Sequence, residues 1–313
     1  SNICTNSGLC ALAFSIHMTL LGETGLRRLA QVNHANAALL AERLALVPGV
    51  SVLNETFFNE FTIRVTGDGA DIVERLKPAF LTAAALKVAD SAIGLMLSLT
   101  RGIAYQNVLL RSPDVRWHFD HVRPLRRLSG LTYGVIGLGR IGSAAVVRAK
   151  ALGMRVLFFD PYKSDGYDKV LGAQRVESLE DLLRQTDVLS IHAPLTTETR
   201  NMISGPQIAL MPRGSYIIDT ARGEILDTTA IPDAIASGQL AGAGVDVLPQ
   251  EPPPPDHPLL VAWRNPQHPA HHRVILNAHN AFYSEQGLRD MRSKGADACR
   301  RALLGMPLRN VVN

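Results

Sequence analysis

Short apolar runs alternate with longer segments of helical spacing in the part of the chain that follows residue 130. The runs are apolar throughout instead of alternating with polar residues, which is typical of parallel strands that helices cover on both faces. This pattern predicts an α/β fold with a doubly wound parallel sheet. The predicted strands are 131–136, 155–159, 188–192, 216–219, 244–247 and 274–277, and the predicted helices are 140–152, 179–185 and 228–237.

The region before residue 80 has a different pattern. Apolar residues recur at helical spacing over 8–47 and predict two helices that divide near 22–25. Aromatic and β-branched residues at 50–53 and 61–65 predict two short strands, and a helical stretch follows at 70–76. We therefore expect a small α+β segment over residues 1–80.

One long helix is predicted over 82–110, because an apolar stripe runs along one face from Val88 to Leu99 and the pair Ser112–Pro113 ends it. The stripe needs a partner, which is either a lid region of the same protein or a second subunit, and we expect a homodimer. A last amphipathic helix is predicted over 284–304. The expected domains are 1–80, 81–282 and 283–313.

Charge argues against binding to nucleic acid. The formal net charge is +4, from 32 basic and 28 acidic side chains, and this excess is too small to indicate a nucleic-acid partner unless it clusters. The arginines between 111 and 127 do cluster, but they have no interleaved aromatics, and we interpret them as a solvated connector.

Hydropathy and cysteine content indicate in which cellular compartment the protein is located. The apolar run 9–21 is interrupted by polar residues and is shorter than the roughly 20 residues that a membrane helix needs. The three cysteines, Cys4, Cys10 and Cys299, form no disulfide framework and fit a reducing compartment. We expect a cytoplasmic protein without a membrane segment.

A glycine fingerprint directly follows the first of the predicted buried strands and leads into a helix. Gly137 allows a tight turn, Gly139 lets the backbone approach a pyrophosphate, and Gly142 lets the helix pack closely on the strand. Asp160 ends the next strand, where a carboxylate binds the adenosine ribose and repels a 2′-phosphate, so the sequence predicts a Rossmann domain that prefers NAD to NADP. The predicted fingerprint residues are Gly137, Gly139, Arg140, Ile141 and Gly142.

Further motifs accompany this fingerprint at 181–199, 220–223, 243–247, 251–252 and 279–285. Together they resemble the D-isomer-specific 2-hydroxyacid dehydrogenases, and the runs 159–166 and 309–313 resemble the C-terminal-binding-protein branch of that family. The resemblance covers about residues 82–313 and implies transfer of a hydride between NAD and a small 2-hydroxy or 2-keto acid. The additional cofactor-lining residues that it implies are Pro194, Thr196, Thr199, Thr220, Ala221 and Asp246.

Three side chains match the chemistry of that reaction. Arg222 can hold the substrate carboxylate with its guanidinium fork. His279 can exchange the hydroxyl proton near neutral pH, and Glu251 would stabilise the imidazolium form. Arg222, Glu251 and His279 are therefore the predicted catalytic residues, and Phe282 is expected to face the substrate side chain. Ala278 stands where family members usually have a proline.

The other histidines are assigned less specific roles. His192 is interpreted as a structural or cofactor-lining residue at a strand end. Four more, His257, His268, His271 and His272, crowd one region that we interpret as a solvated loop, because their spacing is irregular and no cysteine or acid accompanies them. No metal site is predicted.

The first 77 residues resemble a different family. The runs 1–6, 25–30 and 57–61 are similar to the C-terminal part of subunit 1 of the pyridoxal-phosphate-dependent glycine dehydrogenase (decarboxylating) of the glycine cleavage system. In that family the Schiff-base lysine lies just before the Ser-Asn-Ile-Cys-Thr run, hence before Ser1, so we expect no aldimine chemistry from this chain. This segment stands where the dehydrogenases have a substrate domain.

Two alternatives to an active dehydrogenase stay open at this point. The chain could be a non-catalytic NAD(H)-binding sensor that resembles the co-repressors of the C-terminal-binding-protein branch, or an inactive remnant of glycine dehydrogenase. Turnover of a 2-keto acid would favour the enzyme, and binding of NADH without turnover would favour the sensor.

Overall fold

The computed structural model describes residues 85–303 except 165, together with 50–57, 63–65, Met306 and part of 28–46. Backbone contacts divide the chain into two compact units, one formed by 1–80 with 292–313 and the other by 81–291. The domain boundaries predicted at 80 and 282 stay predictions. The predicted helix at 70–76, the division near 22–25 and the side chains of all three cysteines lie outside the described residues.

The smaller unit contains a two-stranded antiparallel sheet. Its strands are β1 (Val50–Val52) and β2 (Ile63–Val65), and Val50 lies opposite Val65. The prediction of short strands here is correct within the described residues. Helical residues occur among those described between Arg28 and Ala45.

A seven-stranded sheet forms the centre of the larger unit. Every neighbouring pair in it is parallel, and the order across the sheet is β5-β4-β3-β6-β7-β8-β9. The chain starts in the middle of the sheet at β3, builds outward on one side, and then crosses to β6 on the other side. The strands are β3 (Thr132–Ile136), β4 (Arg155–Phe159), β5 (Gln174–Arg175), β6 (Val188–Ile191), β7 (Ser215–Asp219), β8 (Leu240–Val245) and β9 (Val274–Leu276).

Helices connect the strands and cover both faces of the sheet. The helices are α1 (Ala85–Thr100), α2 (Ile103–Leu109), α3 (Arg140–Ala151), α4 (Tyr167–Leu171), α5 (Leu179–Arg184), α6 (Gly205–Leu210), α7 (Ile231–Ala236), α8 (Pro258–Arg264), α9 (Ala270–Arg273) and α10 (Glu285–Leu303), and two 3₁₀ turns lie at Phe119–Val122 and Thr228–Ala230. None of the helices that the structure describes is long and apolar enough to cross a membrane.

The core has two layers, one on each face of the sheet. On one face, Tyr133 of β3 packs with Met96 of α1 and Val146 of α3. On the other face, Leu189 of β6 packs with Leu182 of α5. Each of these side chains is fully buried, and burial of one large apolar side chain stabilises a fold by about 1.5–3 kcal/mol. Burial on both faces explains why the strands are apolar throughout.

The register of the sheet aligns the carboxyl ends of six strands. Ile136 pairs with Phe159 on one side and with Ile191 on the other, and the row continues through Asp219, Val245 and Leu276. Neighbouring strands lie about 4.8 Å apart, so the loops that leave this row start close together. Ligands of open parallel sheets bind at this edge, where the strand order reverses between β3 and β6.

The prediction of a single helix over 82–110 is wrong. The helix breaks between α1 and α2 at Gly102, which has a left-handed backbone (φ +63°) and a Cα so close to Val122 that a Cβ would lie 2.6 Å from it. The apolar face of α1 packs against α3 and strands β7 to β9 of the same unit, so it does not need a partner subunit.

Other differences concern short elements. β8 begins at Leu240, whereas the predicted strand begins at residue 244, because its glycines and alanines lack the bulky pattern of a strand. Strand β5 and helices α4, α6, α8 and α9 were not predicted, since each has seven residues or fewer. The helix predicted over 228–237 is a 3₁₀ turn followed by α7.

Candidate active site

The glycine loop begins immediately after β3. Gly137 has a left-handed backbone (φ +86°), and its N–H donates to the carbonyl of Phe159 at 3.0 Å. A Cβ on Gly137 would lie 2.7 Å from the backbone nitrogen of Ala193, so a side chain here would push the loops after β3 and β6 apart. Glycine is therefore required for both the turn and the close approach.

The other two glycines of the loop differ in their surroundings. A Cβ on Gly142 would collide with the carbonyl oxygen of Gly137, which shows how closely α3 packs on the end of β3. Gly139 is the N-cap of α3, and a Cβ there would meet nothing within 4 Å. The N-cap of α3, which starts at Arg140, makes no side-chain hydrogen bond to the first turn of the helix. This is the arrangement that holds a pyrophosphate in dinucleotide-binding folds.

Asp160 lies beside this loop at the end of β4. Its Oδ2 accepts a hydrogen bond from the backbone N–H of Leu138 at 2.7 Å, and its Oδ1 accepts one from the backbone N–H of Tyr162 at 3.0 Å. These bonds orient the carboxylate, and each oxygen keeps a lone pair for a ribose hydroxyl. Lys163, the nearby cation, lies over the ring of Tyr167 at 5.2 Å.

The loop after β6 lies directly beside the glycine loop, at Ala193. Thr199 organises it, because its hydroxyl donates to the carbonyl of Pro194 at 2.7 Å and accepts from the N–H of Thr196 at 2.8 Å. His192 lies at the start of the loop with Nε2 2.9 Å from Ser190 Oγ. Burial lowers the pKa of His192 to about 4, so the ring is neutral and does not act as a cation in the site.

Three buried polar atoms at this edge have no hydrogen-bond partner within the described chain. They are Nδ1 of His192, Oδ2 of Asp219 and Oγ1 of Thr220, which lie at the ends of the neighbouring strands β6 and β7. Buried polar groups in proteins are nearly always hydrogen-bonded, so unsatisfied atoms at the ligand-binding edge of a sheet indicate a polar ligand. Together with the glycine loop and Asp160, they fit a bound dinucleotide.

Arg222 is presented by the turn that follows β7. The carboxylate of Asp219 accepts the N–H of Ala221 at 2.9 Å, and Nη1 of Arg222 donates to the Ala221 carbonyl at 2.7 Å. The side chain is exposed. A Cβ on Gly223 would collide with the backbone of Leu248, so this turn packs directly against the segment that carries Glu251.

Glu251 and His279 form a hydrogen-bonded pair. Nδ1 of His279 lies 2.6 Å from Oε2 of Glu251, whose Oε1 accepts the N–H of Leu248 at 2.9 Å. A carboxylate partner at Nδ1 places the proton on that nitrogen and leaves Nε2 available. The imidazole is 43% exposed, and the ring of Phe282 lies edge-on at 6.1 Å.

The backbone of His279 is itself constrained. Its φ of +52° is uncommon for a residue other than glycine, and the N–H donates to the carbonyl of Asp246 at 2.8 Å. The carboxylate of Asp246 accepts the next two N–H groups, from Asn280 at 3.1 Å and Ala281 at 3.2 Å. The buried Asp246 therefore holds the histidine loop at the end of β8.

These contacts bring the predicted catalytic residues to one edge. The Arg222 turn touches the Leu248 backbone, Leu248 is bonded to Glu251, and Glu251 is bonded to His279. The predicted cofactor residues occupy the loops of the same row of strand ends. Their roles as site residues stay predictions.

Two features of the site differ from the sequence-based interpretation. Asp219 was not among the predicted site residues. An acidic residue at the end of an apolar strand, three residues before Arg222, is a sequence signal that could have identified it. The four crowded histidines do not lie in one loop: they flank or belong to α8 and α9, and His257 and His268 accept N–H groups at the starts of these helices. No group of His, Cys, Asp or Glu that could hold a metal occurs among the described residues.

Comparison with known proteins finds matches to the sequence profiles of two families along the chain. The sequence profile of the D-isomer specific 2-hydroxyacid dehydrogenase NAD-binding domain matches residues 93–281. The profile of the glycine cleavage system P-protein matches residues 1–108. The second match agrees with the glycine dehydrogenase resemblance of the first 77 residues.

Individual relatives are similar to the dehydrogenase part. A glyoxylate reductase of Korarchaeum cryptofilum is 40% identical over 55% of this chain and 52% of its own length. A D-3-phosphoglycerate dehydrogenase of Methanocaldococcus jannaschii is 34% identical over 74% of this chain and 42% of its own length. The chain thus spans about half the length of the curated relatives it matches.

A solved structure shows the same fold. The D-lactate dehydrogenase of Aquifex aeolicus, crystallised with NAD and lactic acid, is 30% identical, covers 70% of this chain and 66% of its own, and superposes with a TM-score of 0.60. The order of strands and the glycine loop described above agree with this likeness. The chain belongs to the D-isomer specific 2-hydroxyacid dehydrogenase family and contains the NAD-binding domain of that family.

Proposed function

We propose that this protein uses NAD to interconvert a small 2-hydroxy acid and the corresponding 2-keto acid. The observation that supports this most directly is the chain of contacts from the Arg222 turn through Leu248 and Glu251 to His279. This cluster lies on the same row of strand ends as the glycine loop after Gly137. A cation, an acid–base group and a dinucleotide groove are the parts that the reaction requires.

The cofactor would be held by the glycine loop and the start of α3 at its phosphates and by Asp160 at its ribose. The unsatisfied atoms of His192 and Thr220 would meet its nicotinamide half. When bound, the nicotinamide supplies or accepts the hydride. Because Asp160 repels a 2′-phosphate, we expect NADPH to bind at least about tenfold more weakly than NADH.

Arg222 would bind the substrate carboxylate. Its guanidinium is exposed, and the turn that carries it is fixed by Asp219 and by the backbone of Leu248. A bidentate pair with a carboxylate fixes both the position and the orientation of the acid. The carbon that reacts is adjacent to that carboxylate, so Arg222 orients it relative to His279.

His279 would move the hydroxyl proton. Its Nδ1–H donates to Glu251 at 2.6 Å, so Nε2 is the nitrogen that exchanges a proton with the substrate. In reduction of a keto acid, the imidazolium gives this proton to the carbonyl oxygen, and in oxidation the neutral imidazole removes it from the hydroxyl. Glu251 holds the ring and stabilises its cationic form.

The proposal is tested by assaying the purified chain with NADH and a panel of 2-keto acids, including glyoxylate, pyruvate and hydroxypyruvate. We expect oxidation of NADH with at least one of them. His279→Gln is expected to lower kcat by about 10²–10⁴-fold while the affinity for NADH stays the same. His272→Gln is a matched control, because His272 is exposed and precedes β9 at the opposite edge of the sheet. Equal turnover in the two variants would refute the role of His279.

A second candidate function is binding of NAD(H) without turnover. It is favoured by one observation: the dehydrogenase profile begins at residue 93, and the residues before it match the glycine cleavage system P-protein instead. Micromolar binding of NADH together with no oxidation by any keto acid in the panel would support it. Such a result would contradict the dehydrogenase proposal.

We further propose a cytoplasmic homodimer. The cysteine content fits a reducing compartment, and Leu86, Ile103 and Val108 are exposed on the outer sides of α1 and α2. Light scattering coupled to gel filtration is expected to give twice the chain mass of 33.9 kDa. A monomer at micromolar concentration would exclude the dimer, and recovery in a membrane or secreted fraction would exclude the location.

A further inference from the structure

A basin lies at the amino ends of the strands, on the opposite edge of the sheet from the predicted active site. It has a volume of about 760 Å³, and residues at or just before the starts of β3, β7, β8 and β9 line it, among them Leu131, Gly214, Leu240 and Arg273. A strand of five residues such as β3 spans about 16 Å, which separates the basin from the glycine loop. Its volume is within the roughly 300–1,000 Å³ of small-molecule sites. The basin is therefore a candidate site distinct from the dinucleotide groove.

Cations from three separate segments line the basin. They are Arg123 and Arg126 of the connector before β3, Arg213 of the turn before β7, and Arg273 at the end of α9. All four residues are exposed. No aspartate or glutamate is among the described residues that line the basin. A concavity lined by one sign of charge concentrates the electrostatic potential, and here that potential is positive and attracts anions.

Most of this positive charge has no acidic partner within the described chain. Among the four arginines only Arg126 forms an ion pair there, with Asp187, whose Oδ1 accepts from Nη1 at 2.6 Å. Arg213 donates instead to the backbone carbonyl of Ser237 at 2.6 Å, which leaves its charge uncompensated. Like charges that are held together repel one another, and a bound anion removes this cost.

Two of the cations act on the same side chain of the basin. Tyr216, the second residue of β7, lines the basin and is half-buried. Burial raises the pKa of its hydroxyl, whereas the charges of Arg273 and Arg126 oppose the rise, so both guanidinium groups lie near this ring. His268 lines the basin as well, and its Nδ1 accepts the N–H of Ala270 at 3.0 Å, which places a donatable proton on Nε2. The basin thus offers neutral donors beside its cations.

The spacing of the arginines indicates an extended anion. Arg126 pairs with Asp187 directly before β6, Arg213 precedes β7, and Arg273 precedes β9. The starts of β6 and β9 are three strand spacings apart, which is about 14 Å. A phosphate group accepts a guanidinium fork through two of its oxygens, so a chain of phosphates provides one such partner after another along this row.

We propose that this basin is a second binding site, which takes a small ligand with two or more linked phosphate groups. Arg213 and Arg273 bind the phosphate chain, and Arg126 adds positive charge at one end of it. Two sources have this chemistry, inorganic polyphosphate and the phosphate chain of a nucleotide. The site goes beyond the proposed dehydrogenase function, and none of its residues belongs to the predicted catalytic or cofactor-binding set.

The test titrates the full chain with inorganic tripolyphosphate in a calorimeter. We expect a dissociation constant in the micromolar range, which Arg273→Gln raises by about tenfold and the double variant Arg213→Gln with Arg273→Gln by about 100-fold, because each change removes one charge-assisted pair. Arg111→Gln is the matched control: Arg111 is exposed and belongs to the same arginine-rich connector but does not line the basin, so the affinity should stay the same. No binding at millimolar tripolyphosphate, or an equal loss in Arg111→Gln and Arg273→Gln, would overturn the proposal.

Two further titrations locate the site and identify the ligand. Tripolyphosphate should bind equally well with and without excess NADH, whereas loss of binding in the presence of NADH would assign the anion to the dinucleotide groove and overturn the proposal. Orthophosphate should bind at least about tenfold more weakly than tripolyphosphate, and equal affinity would contradict an extended anion. With NADH in excess, ATP that binds more tightly than tripolyphosphate supports a nucleotide as the ligand, and equal binding supports the phosphate chain alone. None of these measurements uses turnover, so the site and the dehydrogenase function can fail independently.

Discussion

The phosphate-binding half and the reacting half of the same sheet edge are built by different means. The loops after β3 and β4 are shaped by backbone geometry, since a side chain at Gly137 or Gly142 would collide with neighbouring main chain. The loops after β7, β8 and β9 are held instead by acidic side chains, chiefly the buried Asp219 and Asp246 and the exposed Glu251. The phosphate-binding half therefore depends on the absence of side chains, and the reacting half depends on the charges of acidic side chains.

This difference has a physical reason. A pyrophosphate is bound by backbone N–H groups, which every residue except proline carries, so the chain needs only to let it approach. A substrate carboxylate and a moving proton require particular side chains, and these must be fixed in the absence of the ligand. We therefore expect steric changes to damage the first half and changes of charge to damage the second, each without much effect on the other.

The largest effect is expected from Gly142→Ala. The new Cβ would collide with the Gly137 carbonyl and displace α3 from β3, so NADH affinity should fall by more than about 100-fold and the chain should lose about 1–3 kcal/mol of stability. NADH fluorescence titration and thermal unfolding measure the two quantities. Gly139→Ala is the control, because its Cβ meets no protein atom: it should weaken NADH binding while the melting temperature stays the same. A Gly139→Ala variant that unfolds as easily as Gly142→Ala would contradict the steric argument.

Arg222→Gln tests the charge of the reacting half. Loss of a charge-assisted pair with the substrate is expected to lower kcat/KM by about 100-fold, mainly through KM, because such pairs contribute roughly 1.5–3 kcal/mol. NADH binding should be unchanged. Steady-state kinetics with the best keto acid provide the measurement, and Arg222→Lys should recover part of the loss, since it restores the charge without the fork. An unchanged KM in Arg222→Gln would assign the carboxylate to another group.

A smaller effect is expected from Glu251→Gln. The amide keeps a hydrogen-bond acceptor for His279 Nδ1–H but no longer stabilises the imidazolium, so kcat for keto-acid reduction should fall by about tenfold. A pH profile of kcat measures this, and a profile identical to that of the wild type would show that the 2.6 Å contact has no part in proton transfer.

A further effect concerns the pH dependence of stability. The pKa of Asp219 is raised in the folded state, so the protonated form stabilises the fold fully below about pH 4, and this contribution is lost as the pH rises towards 8. Asp219→Asn should therefore melt at a higher temperature than the wild type at pH 8 and at nearly the same temperature at pH 4. Thermal unfolding of both chains at the two pH values provides the comparison, and a constant difference would contradict it.

Sequence-based prediction succeeded where local pattern and tertiary structure agree. Strands β3, β4 and β6 were predicted correctly, because burial on both faces of the sheet requires apolar residues along the whole strand. The glycine loop from Gly137 to Gly142 was recognised because strand, turn and helix follow one another directly in the sequence. The start of β8 was missed, since Leu240–Val245 is rich in glycine and alanine. These small residues are required there: a Cβ on Gly244 would lie 3.0 Å from Leu95 of α1, a contact that no local pattern contains.

The amino-acid order alone specified the parallel sheet, the dinucleotide groove and the residue types that a hydroxyacid dehydrogenase needs, because hydrophobic spacing and glycine positions act over a few residues. Folding decided the rest. It ended the leading helix at Gly102 against Val122, packed Gly223 on Leu248, and paired the backbone of Asp246 with that of Asp219. Each of these contacts joins residues that are 20 or more positions apart, and the pKa of the buried Asp219 depends on how many donors and charges the whole fold collects around its carboxyl.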